Sequence, residues 1–190
     1  MYQRILLALA VVAISAPTAY AQSCGTNAVS NPAPFQWTLV NTATEPYYFG
    51  TLEMGEASFT INGETLTTRA YRQEGGTYSI PGPTIVMAPG QKYVLRFKNT
   101  LPYQPKVEQH NVFKDPNVTN VHTHGLHISG ETPGDDVTRY FEGGFGGDYV
   151  YDIPANHMGG TYWYHAHHHG STFLQVSTGA FGLIIIDDGA

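Results

Sequence analysis

Residues 58–71 read SFTINGETLTTRAY. Asn62-Gly63 separates two runs rich in Thr, Phe, Ile, Leu and Tyr. An Asn-Gly pair tolerates the positive φ angles that a two-residue hairpin turn demands, and β-branched and aromatic residues suit a pleated strand. The stretch therefore predicts a hairpin, with residues 58–61 turning into residues 65–71.

The same signature recurs outward from the hairpin. Residues 35–40 (FQWTLV) and 84–87 (TIVM, closed by Ala88-Pro-Gly90) are short β-rich runs. In residues 92–98, Tyr93, Leu95 and Phe97 alternate with Lys92, Val94, Arg96 and Lys98, which predicts a half-buried strand. Beyond a polar, Pro-containing loop at 101–119, strands are expected at 120–124, 148–153 and 160–167. Residues 180–186 are apolar enough to predict a strand buried on both faces. A short helix or turn is expected near 171–176. About eight short strands joined by Gly- and Pro-containing turns point to an all-β antiparallel sandwich or Greek-key barrel. No internal repeat or linker interrupts the series.

Composition narrows the function. Charged residues make up 13% of the 190-residue chain, and the formal net charge is −6. The few Lys and Arg are scattered, so the basic footprint that nucleic acid requires is missing. Arg4, the apolar run at 5–14 and Ala19-Tyr20-Ala21 predict a secretory signal peptide over 1–21. The apolar run is shorter than the roughly 20 residues of a membrane span. An exported protein, periplasmic or secreted, is expected, with residues 22–31 as its N-terminal segment and one domain over 32–190. Cys24 is the single cysteine; it is expected to be a free thiol or to pair outside this chain.

The nine histidines include two His-x-His pairs, His122-Thr-His124 and His165-Ala-His167. Side chains at i and i+2 of a strand share a face, so each pair presents two imidazoles side by side. If the strands are neighbours, four neutral imidazoles converge. Such a set suits copper, zinc, iron or nickel, with Cu(II) bound most strongly among divalent ions. His169 shares the parity of His165 and His167, but Gly170-Ser171 is expected to end the strand before it. His168 points to the opposite face, and His127 is expected to make a structural hydrogen bond. His110 and His157, in loop-like sequence, are expected to be solvated. Asp135, Asp136 and Asp148 lie between the two pairs and are expected to be solvated loop acids. Gly143-Gly-Phe-Gly-Gly147 is expected to be a flexible surface loop. Tyr162, Trp163 and Tyr164 are read as core packing.

The stretches Asn120-Val-His-Thr-His-Gly-Leu126 and Gly160-Thr-Tyr-Trp-Tyr-His-Ala-His167 resemble the first two copper motifs of the multicopper oxidases, the laccase-like family. Those motifs, His-x-His-Gly and Trp-Tyr-His-x-His, belong to the family's N-terminal cupredoxin domain. Pro81-Gly-Pro-Thr-Ile85 with Pro89-Gly90, Phe97-Lys-Asn-Thr-Leu101, and Gly179-Ala-Phe-Gly-Leu-Ile-Ile-Ile-Asp187 are similar to further strands of that domain. The resemblance is dense over about 78–188 and looser from about 32. It implies a cupredoxin-like Greek-key β-sandwich or barrel. It also implies copper ligation by His122 (type 2 copper), by His124 and His165 (one copper of the type 3 pair) and by His167 (the other). The family's trinuclear cluster reduces dioxygen to water with electrons from a separate type 1 copper.

The sequence departs from the family pattern in lacking His-Cys-His, so a thiolate-bound type 1 site is not expected. The remaining cluster ligands are expected from a C-terminal cupredoxin domain or a partner chain. The chain is therefore read as the N-terminal part of a longer oxidase, inactive in isolation. The alternatives are one chain of a shared cluster, or a stand-alone copper-binding module. A zinc hydrolase would need a carboxylate base beside an open three-ligand site. A copper carrier would favour sulfur ligands, yet Met54, Met87 and Met158 are widely spaced.

Overall fold

In a computed structural model, residues 32–105 and 115–189 of the chain are described. The expected signal peptide, Cys24 and His110 lie outside the described residues. Among these residues, nine strands and one helix follow in the order β1 (Thr38–Val40), β2 (Tyr47–Ile61), β3 (Glu64–Gln73), β4 (Gly82–Met87), β5 (Lys92–Asn99), β6 (His122–His124), β7 (Gly146–Asp152), β8 (Gly160–His165), α1 (Thr172–Ser177) and β9 (Phe181–Ile186).

The opening hairpin is present. β2 and β3 pair without interruption from Leu52↔Gln73 to Ile61↔Glu64, and Asn62 and Gly63 both take positive φ (51° and 84°). β2 nevertheless begins at Tyr47, well before the expected strand. Its first half pairs with β1 and, in parallel, with β5. Expected residues 35–40 reduce to β1, with Phe35 buried over Gly50, where a Cβ would stand 2.4 Å from the Phe35 ring.

Two sheets result. One has the order β1-β2-β5-β7 with β3 added on β2; the other has the order β4-β9-β8-β6. Their facing sides bury Leu52, Tyr71, Leu95, Phe97, Tyr149 and Tyr151 from the first sheet against Ile85, Tyr164, Ile184 and Ile186 from the second. In β5 the expected alternation holds, with Tyr93, Leu95 and Phe97 inward. In β9 the expectation of two-sided burial fails. Ile184 and Ile186 face the core, but Leu183 is 41% exposed, because nothing among the described residues covers the outer face of the second sheet there. The run at 143–147 also differs from a flexible loop. Gly144 N–H donates to the Asn99 carbonyl at 2.8 Å, and Gly146 and Gly147 open β7 opposite Lys98 and Phe97.

One contact seats the strand that matters most for the site. Gly182 of β9 lies opposite Tyr164 of β8, and its missing side chain lets the Tyr164 ring cross. A Cβ there would stand 2.3 Å from Tyr164 Cζ. The Tyr164 hydroxyl passes over it to donate to the Pro83 carbonyl at 2.8 Å. A fully buried hydroxyl needs such a partner, and this one ties β8 to β4 across β9.

Candidate metal centre

β6 and β8 are antiparallel neighbours, with His122 opposite His165, Thr123 opposite Tyr164 and His124 opposite Trp163. Thr123 and Tyr164 are buried on the core side. Strand alternation therefore puts His122, His124, His165 and Trp163 on the outer face of the second sheet. Their candidate ligand nitrogens all lie within 4.8 Å of one another for His122, His124 and His165. His167 is not in that group. β8 ends at His165 rather than running to 167, and His167 is exposed, its ring 5.1 Å from that of His122 and 5.5 Å from that of His165.

The ring nitrogens have distinct roles. His165 Nδ1 lies 3.0 Å from the Ala166 carbonyl, so it carries the proton and donates. That leaves His165 Nε2 facing His124 Nδ1 at 3.4 Å. In a metal-free chain this distance allows a weak N–H···N hydrogen bond. It also matches two ligands of one tetrahedral ion, which stand about 3.3 Å apart when each metal–nitrogen bond is about 2.0–2.1 Å. Burial lowers the His165 pKa, and the neighbouring imidazoles act in the same direction against the Ala166 carbonyl. Burial thus favours the neutral imidazole that a metal requires.

His122 Nδ1 is buried and 2.8 Å from Asp135 Oδ2, yet off the geometry of a hydrogen bond. Its Nε2 remains for an ion. A metal-bound imidazole usually gives its second N–H to a carboxylate or carbonyl, which the surroundings of His122 and His165 offer. These donors fit a nitrogen-ligated copper ion.

Asp135 is not the solvated loop acid expected from sequence. It is 8% exposed, and its Oδ1 accepts the Thr123 N–H at 2.9 Å, capturing a donor on the open edge of β6. No local pattern marks it, since only the folded loop brings it there. Trp163 also departs from the expected core packing, although its position carries a signal. It lies two positions before His165 and so on its face. The indole stacks on both His165 (centroids 4.1 Å apart) and His124 (5.0 Å). Tyr164, by contrast, is core as expected.

His157 also departs from its expected solvation. It is buried, with Nε2 accepting the His127 N–H at 3.0 Å and Nδ1 donating to the Met158 carbonyl at 2.9 Å. It clamps the chain just after His124, and the structural bond expected of His127 comes from its backbone. His168 stands 5.0 Å from the Tyr140 ring, while His169 is exposed. Asp136 serves its own turn, where Thr132 and Thr138 hydroxyls bring its carboxyl down to about 2. Asp148 pairs with Arg96 across β5 and β7, and this guanidinium lowers the Asp148 pKa.

Beside the histidines, a groove of about 510 Å³ is lined by Trp163, His165, Thr172, Phe173, Val176 and Ser177. Phe173 is 76% exposed at its rim.

Residues 75–190, more than half of the chain, match the family model described as multicopper oxidase. The copper resistance protein A of Pseudomonas syringae pv. tomato is 30% identical over 136 residues, covering 72% of this chain and 18% of that protein. A laccase of Bacillus subtilis (strain 168) is 31% identical over 160 residues, covering 75% of this chain and 29% of that protein. A solved multicopper oxidase from Campylobacter jejuni superposes with a TM-score of 0.59 at 26% identity, over 85% of this chain and 30% of the other. The fold is thus cupredoxin-like, and the chain spans less than a third of the length of these relatives.

Proposed function

The chain belongs to the multicopper oxidase family, and from that premise we propose that residues 32–190 are a copper-binding domain supplying half the histidines of a trinuclear cluster. His122 would hold the type 2 copper, His124 and His165 one copper of the type 3 pair, and His167 the other. Copper in such a cluster supplies the one-electron chemistry by which dioxygen is reduced to water while a substrate is oxidised.

The observation that carries this reading is the opposed pair His124 Nδ1 and His165 Nε2 at 3.4 Å, with the other His165 nitrogen committed to Ala166. Asp135 would orient His122, and Trp163 would hold the His165 ring plane by stacking. Among the described residues, the outer face of the second sheet is uncovered at Leu183 and flanked by the Phe173 groove. It suits cover by the other ligand-bearing half, a further cupredoxin domain or a partner chain. Residues 1–21 would direct export. No helix among the described residues is long and apolar enough to cross a membrane.

One observation also favours a narrower reading. Three histidines already group within this chain, so it would bind copper by itself as a stand-alone module. A Cu(II) titration of the full chain followed by electron paramagnetic resonance tests both readings. Nitrogen-ligated Cu(II) is expected, with affinity falling about 100-fold or more in His165→Ala. Copper binding unchanged by His124→Ala and His165→Ala would sink both. Loss of a bound copper equivalent in His167→Ala favours the cluster reading over the single-ion module.

A further inference from the structure

We propose that Asn120 is a positioning residue for the metal centre, its buried carboxamide fixing His167 and tying it to the loop that carries Asp135. The proposal rests on the copper reading above. His122, His124 and His165 are held by the β6–β8 ladder, but His167 lies beyond it. The ladder on the other side of β8 is prolonged by an Ala166 N–H to Ala180 carbonyl bond at 3.3 Å. The next N–H, that of His167, donates instead to Asn120 Oδ1 at 2.7 Å.

Asn120 is fully buried and stands two residues before His122. Its Nδ2 donates to the carbonyls of Val137 at 3.0 Å and Arg139 at 2.9 Å. One acceptor faces one N–H, and two donor hydrogens face two carbonyls. The partner set therefore admits a single orientation of the amide. Reversing it would oppose donor to donor and acceptor to acceptor. Asn120 thereby joins three parts of the site. Its own backbone leads into β6, its oxygen reaches the segment carrying His167, and its nitrogen reaches residues 137–139. That loop is in turn stapled to β6 by Asp135 through Thr123.

Chemistry separates the two halves of the brace. Asp at this position keeps an oxygen for the His167 N–H but sets its other oxygen against two carbonyls. Ala removes all three bonds, leaving buried groups unpaired.

The test uses the full chain as wild type, Asn120→Ala, Asn120→Asp and His167→Ala. In the metal-free protein, amide hydrogen exchange at His167 is expected to quicken about tenfold or more in Asn120→Ala. In Asn120→Asp it is expected to stay within about threefold of wild type while exchange at Thr123 rises. With Cu(II), Asn120→Ala should weaken by about tenfold the same copper equivalent that His167→Ala removes. The double variant should be no weaker than His167→Ala alone. Unchanged His167 exchange in a folded Asn120→Ala overturns the proposal. If Asn120→Ala does not fold, loss of His167 protection in Asn120→Asp equal to that at Thr123 overturns it. Exchange reads the brace without copper, so failure of the wild-type chain to bind copper would defeat only the copper reading.

Discussion

At His165, folding stability and the proposed ligand chemistry depend on the same proton. Burial disfavours the imidazolium, the neighbouring imidazoles oppose it further, and the Ala166 carbonyl only partly offsets them, so the folded pKa lies below the ordinary value. The unfolded chain then binds this proton more readily than the folded chain. The contribution of neutral His165 is complete above about pH 6.5 and is lost as pH falls from there toward the depressed folded pKa. The metal-free chain is expected to lose melting temperature between about pH 7 and pH 5, and His165→Phe to lose less over the same range. Equal slopes in thermal melts of the two proteins would contradict this. Residue-level placement was legible where parity alone sets it, as for His122, His124 and His165 on one face. Trp163 obeys the same parity, but its aromatic character suggests core and hides its place on the outer face. Asp135 and His157 were not legible, since each acquires its partner through a loop whose path no periodicity records.

The ladder places the histidines, and what anchors the ladder is aromatic. β8 presents His165 outward only because Tyr164 is fixed inward, its hydroxyl bonded to the Pro83 carbonyl across Gly182. Tyr164→Phe keeps the ring but leaves a buried carbonyl without that donor, a loss of about 1–3 kcal/mol. Urea unfolding should show this drop, while Cu(II) affinity should shift by less than about threefold because the β6–β8 register is untouched. A large loss of affinity with unchanged stability would show that Tyr164 acts on the metal face directly. Strands with strict alternation, such as β5, were readable from sequence. The first half of β2 was not, because Gly50, Thr51, Glu53 and Gly55 disguise a buried strand. Glu53 is tolerated there by Arg72 at 2.7 Å, and Gly50 makes room for Phe35. β9 misled in the other direction. Its unbroken apolar run serves the core on one side and, at Leu183, an open face on the other.

For the molecule as a whole, the two faces of the second sheet explain why the histidines sit where they do. The inner face completes the hydrophobic core, and a metal site there would displace it. The outer face carries Trp163, Leu183 and, across the groove, Phe173 beside the imidazoles. Under the proposed half-cluster, this apolar surround would let further ligands close over the imidazoles and exclude water. Oxidase turnover needs more than this face, because electrons must enter from a substrate. In this family they do so at a thiolate-bound copper, whereas the chain's single cysteine, Cys24, lies in sequence before the first strand among the described residues. The copper-loaded full chain is therefore expected to consume no dioxygen above the rate of free Cu(II) with either a phenolic or a diamine substrate. An oxygen electrode decides the matter. Turnover well above free copper that disappears in His165→Ala would mean that this domain recruits its own electron entry, and the half-cluster assignment would have to be abandoned.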